Sequence, residues 1–148
     1  MFPHTVTVYK VWEDADTLEM RYNLTVLKGV LLDISKGSNV EKSGLVDADS
    51  ATLYIPFSVK AVDAMTGEDK QYLPPKEFNR AEDKSKYWTL DTGGESSSSS
   101  NFFIKGEQSE QLSFGMARNK YDFVFDISTV DTKDFGTADM QHWQVGGK

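Results

Sequence analysis

Two histidines, a group of aspartates near the C-terminus and a scatter of aromatics are the side chains of this sequence with chemistry to offer. His4 and His142 are the only histidines in 148 residues. Were the first and last strands to pair, the two imidazoles would be neighbours and could hold a metal together with a carboxylate. A metal site needs three or four ligands in a defined geometry, so two histidines near strand ends read better as hydrogen-bonded or solvated. Asp126, Asp131, Asp134 and Asp139 suggest calcium by residue type. Their spacing does not match the helix–loop–helix calcium loop, with its glycine at the sixth position and glutamate at the twelfth, and they read as solvated loop acids. With no cysteine, disulfides, thiolate metal sites and thiol nucleophiles are excluded. A serine, threonine or lysine nucleophile would need a base that the sequence does not offer. The serine run Ser96 to Ser100 follows Thr92-Gly93-Gly94-Glu95. It lacks the basic residue and the spacing of a phosphate-binding loop. The expectation is a protein that is not an enzyme, with no catalytic, metal-binding or cofactor-binding residues. Trp12, Tyr54, Trp88 and Trp143 raise a carbohydrate- or peptide-binding barrel. Nothing in their spacing aligns them as a platform, and aromatics serve cores as readily as interfaces.

Composition narrows the class. The formal net charge is −7, which argues against gripping DNA through phosphate neutralisation, since that needs clustered Lys and Arg. The same charge suits solubility, or a surface to which passing DNA must not stick. The length suits one domain, 1–148, able to bury a core without staples. Met1 to Thr5 shows no basic segment followed by an apolar one, so no signal peptide is expected. The sequon Asn23-Leu24-Thr25 then reads as accidental. No apolar run approaches membrane-spanning length.

Side chains able to act must be held by elements, and the clearest of these is Ala51 to Ala61. Ala51, Leu53, Ile55, Phe57, Val59 and Ala61 alternate with Thr52, Tyr54, Pro56, Ser58 and Lys60. That is the period of a half-buried strand. Pro56 marks an edge, a bulge or a bend between sheets. Thr5 to Trp12 predicts a first strand, with Val6 and Val8 opposite Thr7, Tyr9 and Val11. Leu18 to Val26 predicts a second, joined to it as a hairpin through Glu13 to Asp16. Gly29 predicts a bulge or bend before Val30, Leu32 and Ile34. Residues 35–50 form a long aperiodic loop of the kind that is often functional or mobile. Met65 to Asp69 reads as a turn, and Pro75 opens a short helical turn through Phe78 and Ala81. Lys86 to Asp91 and Asn101 to Gly106 read as a hairpin with a flexible Gly/Ser tip over 92–100. Glu107 to Lys120 is the one plausible longer helix, with Ser109 as a candidate cap. Tyr121 to Val130 returns to strand, Asp131 to Asp139 reads as an acidic loop, Met140 to Val145 as a last strand, and Gly146-Gly147-Lys148 as a fraying end. The fold class is mainly β: a small antiparallel β-barrel of about eight strands with one or two short helices.

The order of these elements resembles a known family. Pro3 to Tyr9 (P-H-T-V-T-V-Y) is similar to the start of tailed-phage minor capsid and head–tail joining proteins. Ala51 to Pro56 (A-T-L-Y-I-P), Ile127 to Asp131 (I-S-T-V-D) and His142 to Val145 (H-W-Q-V) fit the same pattern. The nearest type is the stopper, or head-completion protein, of a siphophage-like neck. The resemblance implies a structural virion protein, assembled in the bacterial host cytoplasm and resident in the neck of the particle. It implies a ring of identical copies, dodecameric or hexameric, with portal or adaptor proteins above and tail-completion or tail-tube proteins below. Double-stranded DNA would pass without tight binding, and no membrane would be involved. By position, residues 35–50 correspond to the channel or gating loop, with Lys36, Gly37, Asn39, Glu41, Lys42, Gly44, Asp47 and Asp49 as its candidate residues. Gly93, Glu95, Ser98, Asp131, Lys133, Asp134, Phe135 and Asp139 are candidates for docking onto neighbouring rings. Two other readings stay open: a tail-completion or tail-terminator protein of the same neck, and a free-standing β-barrel module that binds carbohydrate or protein.

Overall fold

The computed structural model describes residues 2–35, 50–92 and 99–148. Nine strands follow one another: β1 (His4–Glu13), β2 (Met20–Ser35), β3 (Ser50–Pro56), β4 (Lys60–Asp63), β5 (Gln71–Tyr72), β6 (Tyr87–Trp88), β7 (Ser99–Lys105), β8 (Val124–Lys133) and β9 (His142–Gly147). Two short helices, α1 (Pro75–Arg80) and α2 (Phe114–Lys120), interrupt them. The chain is mainly β, as its alternating patterns predict.

Six strands close on themselves. The order β1-β7-β8-β9-β3-β2 returns to its start because β2 also pairs with β1. All six ladders are antiparallel. Closure satisfies backbone groups that an open sheet leaves at its edges. Two strands turn the corners. β2 pairs with β1 up to Val30 and with β3 over Leu31 to Ser35, and the bend falls at Gly29. Gly29 takes φ 89°, opposite a register shift between His4 and Thr5; a residue with a Cβ adopts that conformation only under strain. β8 pairs with β7 over Val124 to Asp126, then with β9, and its register shifts between Ile127 and Thr129.

The alternation of β1 feeds two cores. Val6 and Val8 join Leu27, Leu53, Ile55, Phe103, Phe125, Ile127 and Val145 inside the ring. Tyr9 and Val11 point the other way, with Phe102, Ile104 and Val124, and are covered by Leu112, Phe114 and Ala117. Residues 106–113 are stapled over this outer core. Thr7 Oγ1 donates to the Gly106 carbonyl and accepts from the Gln108 amide, while the Tyr9 hydroxyl donates to the Glu110 carbonyl at 2.7 Å.

Several expectations are corrected. The strand read as Ala51 to Ala61 is broken at Phe57 to Val59. Phe57 N donates to Gln141 O, so the odd residues of β3 turn their backbone groups to β9 and the even ones to β2. The Pro56 nitrogen therefore lies on the β2 side, with no hydrogen to offer, and the chain turns there before β4 resumes along β2. Residues 86–91 do not form a hairpin with β7. β6 pairs in parallel with β5, because β1 and β8 already take the two edges of β7. Helix α2 begins at Phe114, and its cap is Ser113, whose Oγ accepts from Met116 N. Ser109 lies outside it. Asp131 to Lys133 remain in β8. Gly146 and Gly147 are strand residues rather than a frayed end. A Cβ on Gly147 would sit 2.8 Å from Phe125 Cβ and 2.9 Å from Phe103 Cζ, so only glycine lets β9 come this close.

Candidate interaction site

Four aromatic rings from three distant segments meet at one end of the inner core. Trp143, on β9, is central. The turn after Pro56 sets Phe57 against it, with ring centroids 4.5 Å apart. The β5–β6 pair adds Tyr72 at 4.3 Å and Trp88 at 5.6 Å, in register with each other. Trp88 and Trp143 are buried, while Phe57 and Tyr72 are half-buried. Phe57, Tyr72 and Trp143 floor a cleft of about 540 Å³, and Trp88 packs against Tyr72 and Trp143 without lining it. Pro74 and Pro75 form one wall, Leu90 to Thr92 a second, and Val130, Thr132 and Asp134 a third.

The electrostatics of the cleft are one-sided. Asp91 pairs with Lys10 Nζ at 3.4 Å, and that ammonium also donates to Asn101 Oδ1 at 3.3 Å. Burial, and then the Asp91 carboxylate, hold the Tyr72 phenol above its ordinary value. Asp134 is exposed and makes no ion pair or hydrogen bond among the described residues. The cleft therefore offers an aromatic floor and an uncompensated carboxylate at its rim.

The strand wall has a further property. Since Gln141 faces β3, alternation turns His142, Gln144 and Gly146 toward β8. Their partners on β8 are Lys133, Asp131 and Thr129. Val130 and Thr132 consequently aim their N–H and C=O groups away from β9. The β7–β8 ladder spans only Phe102 to Ile104 against Val124 to Asp126. Beyond it, the outer edge of β8 has no strand partner among the described residues.

The sequence-predicted docking residues divide. Asp131 and Lys133 lie in β8, opposite Gln144 and His142, and Asp134 lines the cleft. Phe135 is 68% exposed in the β8–β9 connection, and Met140, in the same connection, is 60% exposed. Asp139 accepts from the Thr137 hydroxyl within the same connection. Gly93, Glu95 and Ser98 lie outside the described residues. So do all the gating-loop candidates: Lys36, Gly37, Asn39, Glu41, Lys42, Gly44, Asp47 and Asp49.

The histidines do not meet, because β1 pairs with β2 and β7 while β9 pairs with β3 and β8. His4 Nδ1 accepts from the Leu32 amide at 3.0 Å, and His142 lies against Tyr54. Among the described residues no three His, Cys, Asp or Glu side chains gather as metal ligands, and no helix is long and apolar enough to cross a membrane. Of the four aromatics singled out in the sequence, Trp143 lines the cleft and Trp88 packs against it. Trp12 instead packs edge-on against Phe78. Phe57, Tyr72 and the two prolines were missed; the signal available was an aromatic two residues before a Pro-Pro pair.

A second polar cluster is closed to ligands. Lys70 Nζ, its side chain 1% exposed, lies within 3.2 Å of Asn23 Oδ1, Leu24 O, Thr25 Oγ1 and Asp63 Oδ1. Burial pushes the Lys70 ammonium below its ordinary value. Burial acts to raise the Asp63 carboxyl, but the Thr66 amide and the Lys70 charge outweigh it and hold it below the usual carboxylate range. Every acceptor here is used, so the cluster is a structural clamp between β2 and β4.

No curated protein and no solved structure matches the chain. The model of a family of unknown function, DUF6751, matches residues 1–148, and the chain belongs to that family.

Proposed function

We propose that this chain is a ring-forming structural protein of a tailed-phage neck, of the stopper or head-completion type. It would join portal or adaptor to tail and help retain packaged DNA. The observation that supports the reading is where the resembling segments fall. Pro3 to Tyr9 leads into β1, Ala51 to Pro56 makes up β3, Ile127 to Asp131 lies in β8 and His142 to Val145 in β9. Three of these, β3, β9 and β8, are consecutive in the closed ring. The family pattern thus coincides with a framework of strands, as expected for a protein whose job is assembly. The net charge of −7 suits a wall that DNA slides past, since tight binding needs clustered cations. Phe135 and Met140, both exposed in the β8–β9 connection, suit docking onto a neighbour, and a ring needs a heterologous interface that closes.

The test mixes purified protein with DNA-filled, tailless capsids. Saturable co-sedimentation at a fixed copy number, with DNA release prevented, is the expected outcome. Binding to tail tubes instead assigns it to tail completion, and binding to neither refutes a place in the neck. Deleting residues 37–44 should leave the fold intact and let DNA leak; full retention by that deletion refutes the gating role. The aromatic cleft favours a second reading, a free-standing module that binds carbohydrate or protein.

A further inference from the structure

We infer that the outer edge of β8 and the aromatic cleft beside it form one docking site for an extended peptide segment, which would add a strand to the ring. The site does not depend on the neck assignment. Its backbone half is the edge itself. Val130 and Thr132 direct their N–H and C=O groups away from β9, and among the described residues no strand pairs with β8 there, the β7 ladder ending at Asp126. An unpaired strand edge is a template for another chain, and strand addition draws affinity from the main chain and specificity from pockets for alternate side chains.

The pocket is in place. Thr132 stands opposite Trp143, and Phe57 and Tyr72 flank that ring within 4.5 Å. A large apolar residue of the incoming strand, set across from Thr132, lands over this floor. Side chains two residues apart share a face, so the residue of the guest opposite Asp134 lies on that same side. Asp134 has no cationic partner among the described residues, whereas Asp91 already has Lys10. Asp131, exposed on the same strand, adds negative charge. The committed occupant is an extended segment of a partner protein carrying a large apolar residue and, two positions away, a lysine or arginine. A second copy of β8 fits poorly, because antiparallel pairing about Asp131 would oppose like charges.

The probe is a displayed library of random nonapeptides selected on the immobilised full chain, with binders then made synthetically. The expected result is an apolar and a basic residue two positions apart among them, in the order set by the strand direction, with exchange at the Val130 and Thr132 amides slowed on binding. Thr132→Pro removes one outward N–H and should weaken binding about tenfold. Asp134→Lys leaves the backbone alone and should weaken it about threefold or more, which keeps the test decisive if the proline variant fails to fold. Four outcomes overturn the proposal. No selected peptide binds at millimolar concentration; binders are indifferent to both variants; the Val130 and Thr132 amides of the free protein already exchange as slowly as those of Asp131 and Lys133; or oligosaccharides, and no peptide, shift the tryptophan emission.

Discussion

Replacing Asp63 by asparagine strips the counter-charge from an ammonium with almost no access to water. Lys70 is 1% exposed, and removing one partner of a buried ion pair costs about 3–5 kcal/mol. A ceiling follows from proton release. Bringing a lysine from its ordinary 10.5 to neutrality at pH 7 costs about 5 kcal/mol at most, at ~1.4 kcal/mol per unit. Lys70→Met should be milder, about 1–2 kcal/mol, because of the four acceptor residues only Thr25 is left without another donor. Leu24 O retains the Ala64 amide, Asn23 Oδ1 retains the Thr25 hydroxyl, and Asp63 retains the amides of Met65 and Thr66. Urea unfolding followed by the emission of the buried Trp88 and Trp143 reads both variants. The pH dependence gives a second readout. The folded Asp63 carboxyl titrates below its unfolded value of 3.8, so its contribution is present above that pH and is lost as pH falls through the folded value. Wild type should lose stability below pH ~4 in a step that Asp63→Asn lacks. Lys70→Met proving costlier than Asp63→Asn, or Asp63→Asn lying within about 1 kcal/mol of wild type, refutes the reasoning.

Three further outcomes are expected. Gly147→Ala forces a methyl into Phe125 and Phe103 and should cost about 1–3 kcal/mol, seen as a drop in Tm; an unchanged Tm would mean β9 can step back. Asp131→Pro removes an N–H aimed at β9 and should cost about 2–3 kcal/mol, whereas Thr132→Pro, on the open edge, should cost under about 1 kcal/mol; equal costs in urea unfolding would contradict the assigned backbone directions. Ser113→Ala should cost about 1 kcal/mol through loss of the α2 cap, with Ser109→Ala as the neutral control in thermal melts.

Period-two patterning carried most of the fold. Ala51, Leu53 and Ile55 are buried as their alternation requires, the β1–β2 hairpin forms, and Gly29 marks the bend because its φ suits glycine. What stayed hidden was partner choice. Lys86 to Asp91 is strand-like, yet β6 pairs with β5, a decision made by which edges of β7 were already taken. The helix start was misplaced because Ser109 and Ser113 are equally good caps by type, and only the outer core, which needs Phe114 and Ala117, separates them. Gly146 and Gly147 read as a frayed end because nothing local announces two phenylalanine rings from other strands. The cleft is half legible: Trp143, and Trp88 packed against it, stand out by type, but Phe57 and Tyr72 reach Trp143 through the turn at Pro56 and the small β5–β6 pair. Asp134 reads as a loop acid in the sequence and sits at the rim of the cleft.

The position of β9 in the ring also sets a timetable. It lies between β3 and β8, pairing Leu53 with Val145 across most of the chain, and it is the last of the described strands. On the ribosome, β3 has no partner on that side until residues 142–147 emerge. Such long-range ladders fold slowly, and a nascent chain that exposes two unpaired edges is open to wrong association. Chaperone demand should therefore peak just before synthesis of β9 and end when it inserts.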